Sequence, residues 1–420
     1  SAVHGSYGYP ADVEISDIST DTRTIKPGSL FIALKGENFD GHNFAAKAME
    51  LGAEAVVTER PVEGARCMIV DSTARALLDI AGYYRSKFDV KVVGVTGSVG
   101  KTTTREMISA ALSAGFRVFK TPKNNNGQLG VPVTLSKITG DDEIAVIEMG
   151  MSMPGEMEVI ARIARVDTAV ITNVGVTHIE NLGTRENILR EKLNIQEGMK
   201  EGGTLLLNGD NDLLKTVTAR PGIRTLFFGT GGGNDYRAED VRMEDGFASF
   251  TAVHNETRVP VSLNVMGEHN VSNALAALAV AEHYGIPMEK AAEALKTYGG
   301  YEGRQRIFDW NGIHMDDDTY NASPDSMKAA VKVLCSMACE GRRIAVLADM
   351  KELFDWARHE GAHAASVTAP YYHSYDAETL TAYFRKAAEL AEGMPLYLYN
   401  MPGMTHNPIT PKVVQEVCDT

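Results

Sequence analysis

"VKVVGVTGSVGKTTT", residues 90–104, decides the fold. Its first half is β-branched and apolar, the composition of a buried parallel strand. Its second half carries glycines at 97 and 100, then Lys101 and Thr102, with a helix expected over 105–114. A strand that turns through glycine into a helix gathers backbone N–H groups and a helix N-terminus at one spot, which suits phosphate. In such a loop Gly97, Ser98, Gly100, Lys101, Thr102 and Thr103 surround a nucleotide's phosphates. Lys101 reaches the β and γ groups, and the Thr102 hydroxyl can ligate Mg2+. The spacing departs by one residue from G-x-x-x-x-G-K-[ST], because Val95 stands where a glycine belongs and the glycine is Gly94. The chemistry needs the loop, the lysine and the hydroxyl, not that first glycine. A plain glycine turn carrying a surface lysine is the alternative reading.

Strand-helix alternation continues outward to about residue 300. "DEIAVIEMG" (142–150), "DTAVITNVG" (167–175) and "GGTLLLNGD" (202–210) each end an apolar strand in polar residues or glycine. Alternation of this kind gives a mostly parallel sheet covered by helices, with ligands at the carboxyl ends of the strands. Glu148 and His178 fall at such ends, and Glu148 would face a metal ion held by Thr102. Singly, Glu148 also reads as a solvated strand-end acid and His178 as a satisfied loop histidine. Lys192, in "ILREKLNIQEGM", reads by itself as a solvated helix lysine. Ahead of residue 89, short strand-like runs at 30–34, 55–58 and 68–70 alternate with helical stretches, a small α/β unit. A third unit begins near "YEGRQRIFDWNG" (301–312).

A chain of 420 residues is too long for a single ordinary core. Three α/β domains are expected, over residues 1–88, 89–304 and 305–420, the central one a P-loop sheet and the last Rossmann-like. The net charge of −14 disfavours nucleic acid and anionic membrane surfaces, so any anionic ligand needs local devices. No run reaches the roughly 18 apolar residues of a membrane span, and a cytoplasmic monomer is expected. Cys67, Cys335, Cys339 and Cys418 are too few and too scattered for a disulfide framework or a zinc site.

Several further segments, in order, resemble the Mur ligases, the ATP-dependent amino-acid and peptide ligases of cell-wall precursor synthesis. They are "ISTDTRTIKPGSLFIALKGENFDGHNF" (18–44), "TGSVGKTTT" (96–104), "TPKNNNGQLGVP" (121–132), "IEMGMSMPGEM" (147–157), "TNVGVTHIENLG" (172–183), "MGEHNVSNALAALA" (266–279) and "DDDTYNASPDSM" (316–327). Within the family they sit nearest the member that joins D-alanyl-D-alanine to a UDP-linked muramoyl tripeptide. The resemblance implies that Glu148 and His178 help bind Mg2+ and that Lys192 is carbamylated, giving a second-metal ligand, so that Lys101, His178 and Lys192 form the catalytic set. It implies nucleotide contacts at Asn270, a hinge at Arg304, and closure over ATP by Asp318 and Asn321. Asn124, Asn125 and Asn126 match a substrate-side loop, and Ser19, Thr20, Asp21 and Arg23 match the uridine-nucleotide pocket. The implied chemistry is activation of a carboxylate as an acyl phosphate, then attack by an amine.

The resemblance stops near "VLADMKELF" (346–354), where Ala348 and Phe354 occupy positions that the family fills with glycine. From 354 onward only Gly361, Gly393 and Gly403 remain of 39 glycines, so the composition has shifted. Residues 360–405 resemble a piece of the Schiff-base lyases related to N-acetylneuraminate lyase and dihydrodipicolinate synthase, in which "PYY" and "LYNMP" close successive barrel strands and Tyr399 matches a proton-relay residue. That chemistry needs a lysine on the next strand, and the full barrel needs about 250 residues. Lyase activity is not expected, and Tyr399 is expected to be a packed strand-end tyrosine. Strands at 364–369 and 395–399 and helices at 377–391 and 411–418 are expected to extend an open sheet begun by strand 343–348. Two other readings stand beside the ligase: a different Mur-type or folylpolyglutamate-type ligase, and a chimeric scaffold that binds nucleotide without turnover.

Overall fold

The computed structural model describes residues 6–7, 13–36, 39–310, 312–320, 323–339, 341–346, 362–369, 375–400 and 407–418. Asn321, the seam from Leu347 through Phe354 and the "PYY" triplet at 370–372 lie outside these residues. The protein is a mixed α/β chain that divides into two compact units. One comprises Ser1–Asp240, Phe250–Val261 and Val271–Tyr298, the other Val241–Ser249, Ser262–Asn270 and Gly299–Thr420.

The first unit opens with β1 (Ser6–Tyr7), β2 (Asp17–Ser19), β3 (Ser29–Ile32), β4 (Ala53–Thr58) and β5 (Cys67–Ile69), arranged in the order β1-β5-β4-β3-β2. All pairs but β1/β5 are parallel. Strand β3, paired with β4 and β2, is buried on both faces. Leu30 and Ile32 join Val57 and Leu77 on one side, while Phe31 joins Ala45, Ala48 and Val56 on the other. That two-sided burial follows from the period of two along a strand.

The larger sheet comprises β6 (Lys91–Thr96), β7 (Val118–Lys120), β8 (Ile144–Glu148), β9 (Thr168–Ile171), β10 (Thr204–Asn208), β11 (Arg224–Gly229), β12 (Tyr236–Glu244), β13 (Phe247–His254) and β14 (Thr257–Met266). Their order is β14-β13-β12-β11-β10-β9-β6-β8-β7. From β7 through β12 every pairing is parallel. The first strand of the motif thus sits between β8 and β9, and the chain reverses its direction of travel there. Such a reversal opens a crevice at the carboxyl ends. Val92, Ala145, Ile147, Ala169, Ile171, Leu205 and Leu207 pack one face against Ile160, Ala161 and Ala164. The helix Asn270–His283 is apolar and buried on nearly every side, as its run of alanine, leucine and valine dictates.

The second unit contains a hairpin of β15 (Arg306–Trp310) and β16 (Ile313–Asp317) and a parallel sheet of β17 (Ile344–Val346), β18 (Ala364–Thr368) and β19 (Leu396–Tyr399). Ile344 pairs with Ala364, and Ala365 with Leu396, so the lyase-like strands do extend the sheet that the ligase-like strand begins. One core serves both: Met327, Val331 and Ala345 pack with Val367, Leu380, Phe384, Ala387, Ala391 and Val413. The helix Pro324–Ser336 is capped reciprocally by Ser323 and Ser326, and the helix Ala377–Ala391 by Asp376, whose carboxylate accepts from Thr379 N. Tyr399 is 48% exposed rather than packed. Leu396 and Leu398 face the core, so alternation sends Tyr397 and Tyr399 outward. All four cysteines are free thiols, and no described helix is long and apolar enough to cross a membrane.

Phe384 is fully buried at the centre of the joint core. Phe384→Ala is expected to destabilise the second unit by about 3–5 kcal/mol in urea titrations. In the same unit, burial pushes the Asp316 carboxyl up to about 7, with Asp318 and Asp317 adding to the rise, and its Oδ1 lacks a hydrogen-bond partner among the described residues. Because the folded value lies above the unfolded one, this group's contribution to stability is full below about pH 4 and is lost as pH rises through about 7. Asp316→Asn is expected to flatten that pH dependence in denaturation curves; an unaltered slope would refute the assignment.

Candidate functional site

The helix after the glycine loop spans Lys101–Leu112, so it begins four residues before the expected Arg105. Gly100 supplies its N-cap in the left-handed region (φ 83), and Thr104, β-branched but buried, is held by its hydroxyl donating to Asn273 Oδ1 at 3.0 Å. Lys101, Thr102 and Thr103 therefore occupy the first turn, whose N–H groups have no partner within the helix. The loop rests on the exit of β9. A Cβ on Gly97 would lie 1.9 Å from Thr172 Oγ1, so only glycine fits there. Ser98 N donates to Asn173 O, Val99 N to Asn173 Oδ1, Gly175 N to Ser98 Oγ and the Thr172 hydroxyl to Val99 O. With Ser98 and Val99 engaged in this way, the helix's first turn and Lys101 are left as the anion-facing donors. Lys101 Nζ folds back onto the carbonyls of Gly97 (2.8 Å) and Ser98 (3.4 Å).

Beside the loop, Glu148 ends β8 with its side chain 2% exposed. Its Oε1 accepts from Asn126 Nδ2 at 2.7 Å and from the Thr102 hydroxyl at 3.3 Å, and its Oε2 from Arg105 Nη1 at 2.9 Å. Asn126 in turn holds the chain after β8, accepting from Gly150 N at 2.7 Å, while Asn124 O accepts from Asn126 N and Asn125 O from the Thr134 hydroxyl. The donors at Thr102 and Glu148 are all oxygens, which suits Mg2+. That ion is bound through one or two carboxylates together with nucleotide phosphates and waters. Among the described residues no group of three His, Cys, Asp or Glu side chains could hold a metal ion.

Lys192 lies in the helix Arg185–Leu193, yet it is 3% exposed, which corrects its reading as a solvated lysine. The helix Glu156–Ala164 and Leu193 enclose this turn, and Glu191 spends its carboxylate on Met157 N at 2.9 Å and Asn194 Nδ2 at 3.2 Å. Burial holds the Lys192 ammonium well below its usual range, Lys101 lowers it further, and Glu191 opposes. His178, half-buried and in the left-handed region (φ 64), is lowered first by burial and then by Lys101 and Lys192, against Glu180 and Glu156. Lys101 thus lowers both His178 and Lys192, and Lys192 also lowers His178, so the three basic groups share one electrostatic neighbourhood.

The remaining sequence-selected residues that the structure describes are held by local contacts. Ser19 is buried, its hydroxyl bonded to Asp21 O; Thr20 is half-buried; Asp21 caps the turn Thr22–Thr24 and receives the Arg23 guanidinium on both carboxylate oxygens. Arg23 is 87% exposed on that turn. In the second unit, Asn270 Nδ2 donates to Met266 O at 2.7 Å and to Gln305 Oε1 at 3.3 Å, and His269 Nε2 lies 2.8 Å from the same oxygen. The Arg304 guanidinium lies 4.2 Å from the Tyr320 ring centroid. Burial raises Asp318, opposed by Arg304 and by the Gln305 N–H, with Asp317 adding to the rise. Sequence reasoning overlooked Arg105, Asn173 and Gln305. Asn173 and Gln305 fall inside quoted motifs or beside them, but Arg105 gave no signal, since a helix arginine reads as solvated.

Residues 14–93 match the catalytic domain of the Mur ligase family and residues 95–281 the Mur ligase middle domain. Residues 325–420 match the dihydrodipicolinate synthetase family, starting inside the helix Pro324–Ser336 and upstream of the composition change at 354. The chain is 40% identical over 363 residues to the UDP-N-acetylmuramoyl-tripeptide--D-alanyl-D-alanine ligase of Bacillus subtilis, covering 85% of this chain and 78% of that one. It is 34% identical over 358 residues to the Escherichia coli ligase of the same name, covering 84% and 78%. Among solved structures, MurF from Acinetobacter baumannii matches with a TM-score of 0.81 at 28% identity over 100% of this chain and 97% of that one. The MurF ligase of Thermotoga maritima, solved in complex with ADP, matches at 0.75 and 28% identity over 98% of each chain. Phosphate loop, strand-end glutamate and buried lysine thus agree with the overall likeness, and the chain belongs to the Mur ligase family.

Proposed function

We propose that this protein joins D-alanyl-D-alanine to a UDP-N-acetylmuramoyl tripeptide at the expense of ATP, a step in peptidoglycan precursor synthesis, through the three domains expected from the sequence. The observation that carries this reading is the convergence of Lys101, His178 and the buried Lys192 on a loop whose Thr102 touches Glu148. Lys101 beside the first-turn N–H groups of a helix forms a site that suits a polyanion.

In the proposed reaction the tripeptide's terminal carboxylate attacks the γ-phosphorus, the bond to ADP breaks, and an acyl phosphate forms. The dipeptide amine then attacks the acyl carbon, phosphate leaves with the C–O electron pair, and the amine's extra proton passes to solvent. Lys101 would exchange the Gly97 and Ser98 carbonyls for phosphate oxygens, and the first-turn N–H groups would take others. Glu148 and Thr102 would hold Mg2+, which when bound neutralises phosphate charge as it develops. His178, kept neutral by burial, has a ring nitrogen available as a ligand. Lys192, whose ammonium form burial disfavours, can add to CO2 as the free amine: an N–C bond forms, one C=O electron pair moves onto oxygen, a proton passes from nitrogen to solvent, and the neutral amine becomes a carbamate anion. Asn124–Asn126, on the loop tied to Glu148, would face the tripeptide, and Ser19, Thr20, Asp21 and Arg23 the uridine nucleotide. Asn270, Arg304, Asp318 and Asn321 are proposed to have the nucleotide-contact, hinge and closure roles that the family resemblance implies.

The decisive experiment measures ADP release with UDP-muramoyl tripeptide, with and without D-alanyl-D-alanine. Release is expected to depend on the dipeptide. Nucleotide binding without release would favour the non-turnover scaffold. Lys101→Ala is expected to weaken ATP binding about ten- to a hundredfold, the scale of one charge-assisted hydrogen bond. For Lys192, protein incubated with carbon-13 bicarbonate should give a carbamate resonance that Lys192→Ala lacks, while ADP affinity stays unchanged; a resonance surviving the substitution would exclude this lysine.

A further inference from the structure

Among the described residues Arg105 is the largest fully buried side chain, with 0% of its surface exposed. Its guanidinium is divided among three partners, two carboxylates and one backbone carbonyl. Nε and Nη2 donate to Glu106 Oε1 at 3.1 and 2.6 Å, a neighbour on the same helix. Nη1 crosses to the phosphate-loop side, donating to Glu148 Oε2 at 2.9 Å and to the Lys123 carbonyl at 2.8 Å. Lys120 adds a second cation on Glu106, so the two carboxylates and two cations balance.

Glu106 alone would already neutralise Arg105 in a buried pair. The arm toward Glu148 has a further effect. It occupies Oε2 and leaves Oε1 as the oxygen turned toward the Thr102 hydroxyl and the Asn126 amide. Through Lys123 it also grips the start of the loop that carries Asn124–Asn126, at a residue whose backbone sits in the left-handed region (φ 51). Without a partner there, neither the carboxylate rotamer nor this conformation would be fixed.

We infer that Arg105 is a positioning residue: it presents Glu148 to a divalent cation through Oε1 alone and ties that carboxylate to the loop 121–126, so that cation binding and loop order depend on one guanidinium. The inference rests on the proposed nucleotide site. Because an ion drawn to Oε1 competes with the Asn126 amide for that oxygen, loading the site also loosens Asn126 from Glu148.

The test uses binding, not turnover. A fluorescent ADP analogue is titrated in EDTA and in Mg2+, and hydrogen exchange of residues 121–126 is followed in parallel. In wild type, Mg2+ is expected to tighten ADP binding. In Arg105→Met that Mg2+-dependent gain is expected to fall about tenfold, with binding in EDTA retained and faster exchange at 121–126; Arg105→Lys, which keeps the charge, should restore most of both. Should Arg105→Met fail to fold, Arg105→Met/Glu106→Gln removes one charge of each sign and carries the same expectation. An Mg2+-dependent gain equal to wild type in the folded variant overturns the inference and leaves Arg105 an internal ion pair. Loss of ADP binding in EDTA in wild type itself would instead strike the phosphate-loop reading.

Discussion

Strand β6 is hydrogen-bonded on both sides, to β8 and to β9, and the register of those ladders governs everything at its carboxyl end. Val95 lies opposite Glu148 on one side, and Thr96 opposite Ile171 on the other. The first pairing sets a carboxylate next to the phosphate loop, and the second brings Thr172 and Asn173 under it. A slip of one residue in the first ladder would turn Glu148 to the opposite face of the sheet. The glycine at 97 is a consequence of the same register, since the loop has to pass directly over Thr172.

Much of this was legible in the sequence because it is local. Glycine positions, β-branched runs and strand-ending acids sit within windows of about ten residues, and the tail's strands and helices fell almost where their periodicity placed them. What escaped depended on packing between distant segments. The helix at Lys101 starts early, and one of its threonines, Thr104, is held by a partner far along the chain, Asn273. Lys192 reads as solvated until the helix Glu156–Ala164 is laid against it, and Tyr399 reads as packed until its neighbours Leu396 and Leu398 claim the core face. Arg105 was invisible for the same reason, because neither Glu148 nor Lys123 is near it in sequence.

The second unit shows how little of a fold's logic is specific to its origin. A strand followed by a helix and another strand crosses over with the same hand in a closed barrel and in an open sheet. What had to match was the apolar face, and Met327, Val331 and Ala345 supply it to Phe384, Leu380 and Val413 in a single core. The lyase-like segment therefore contributes shape. The chemistry in the family resides in side chains grafted elsewhere, as is general when folds are reused.

The lowering of His178 and Lys192, to which Lys101 contributes in both cases, has a consequence for the balance of charge at the loop. Both groups give up their protons more readily than free side chains do, so the positive charge of the neighbourhood concentrates on Lys101 within a protein of net charge −14. Attraction of a polyanion there falls to one long side chain and to the backbone N–H groups of the first turn.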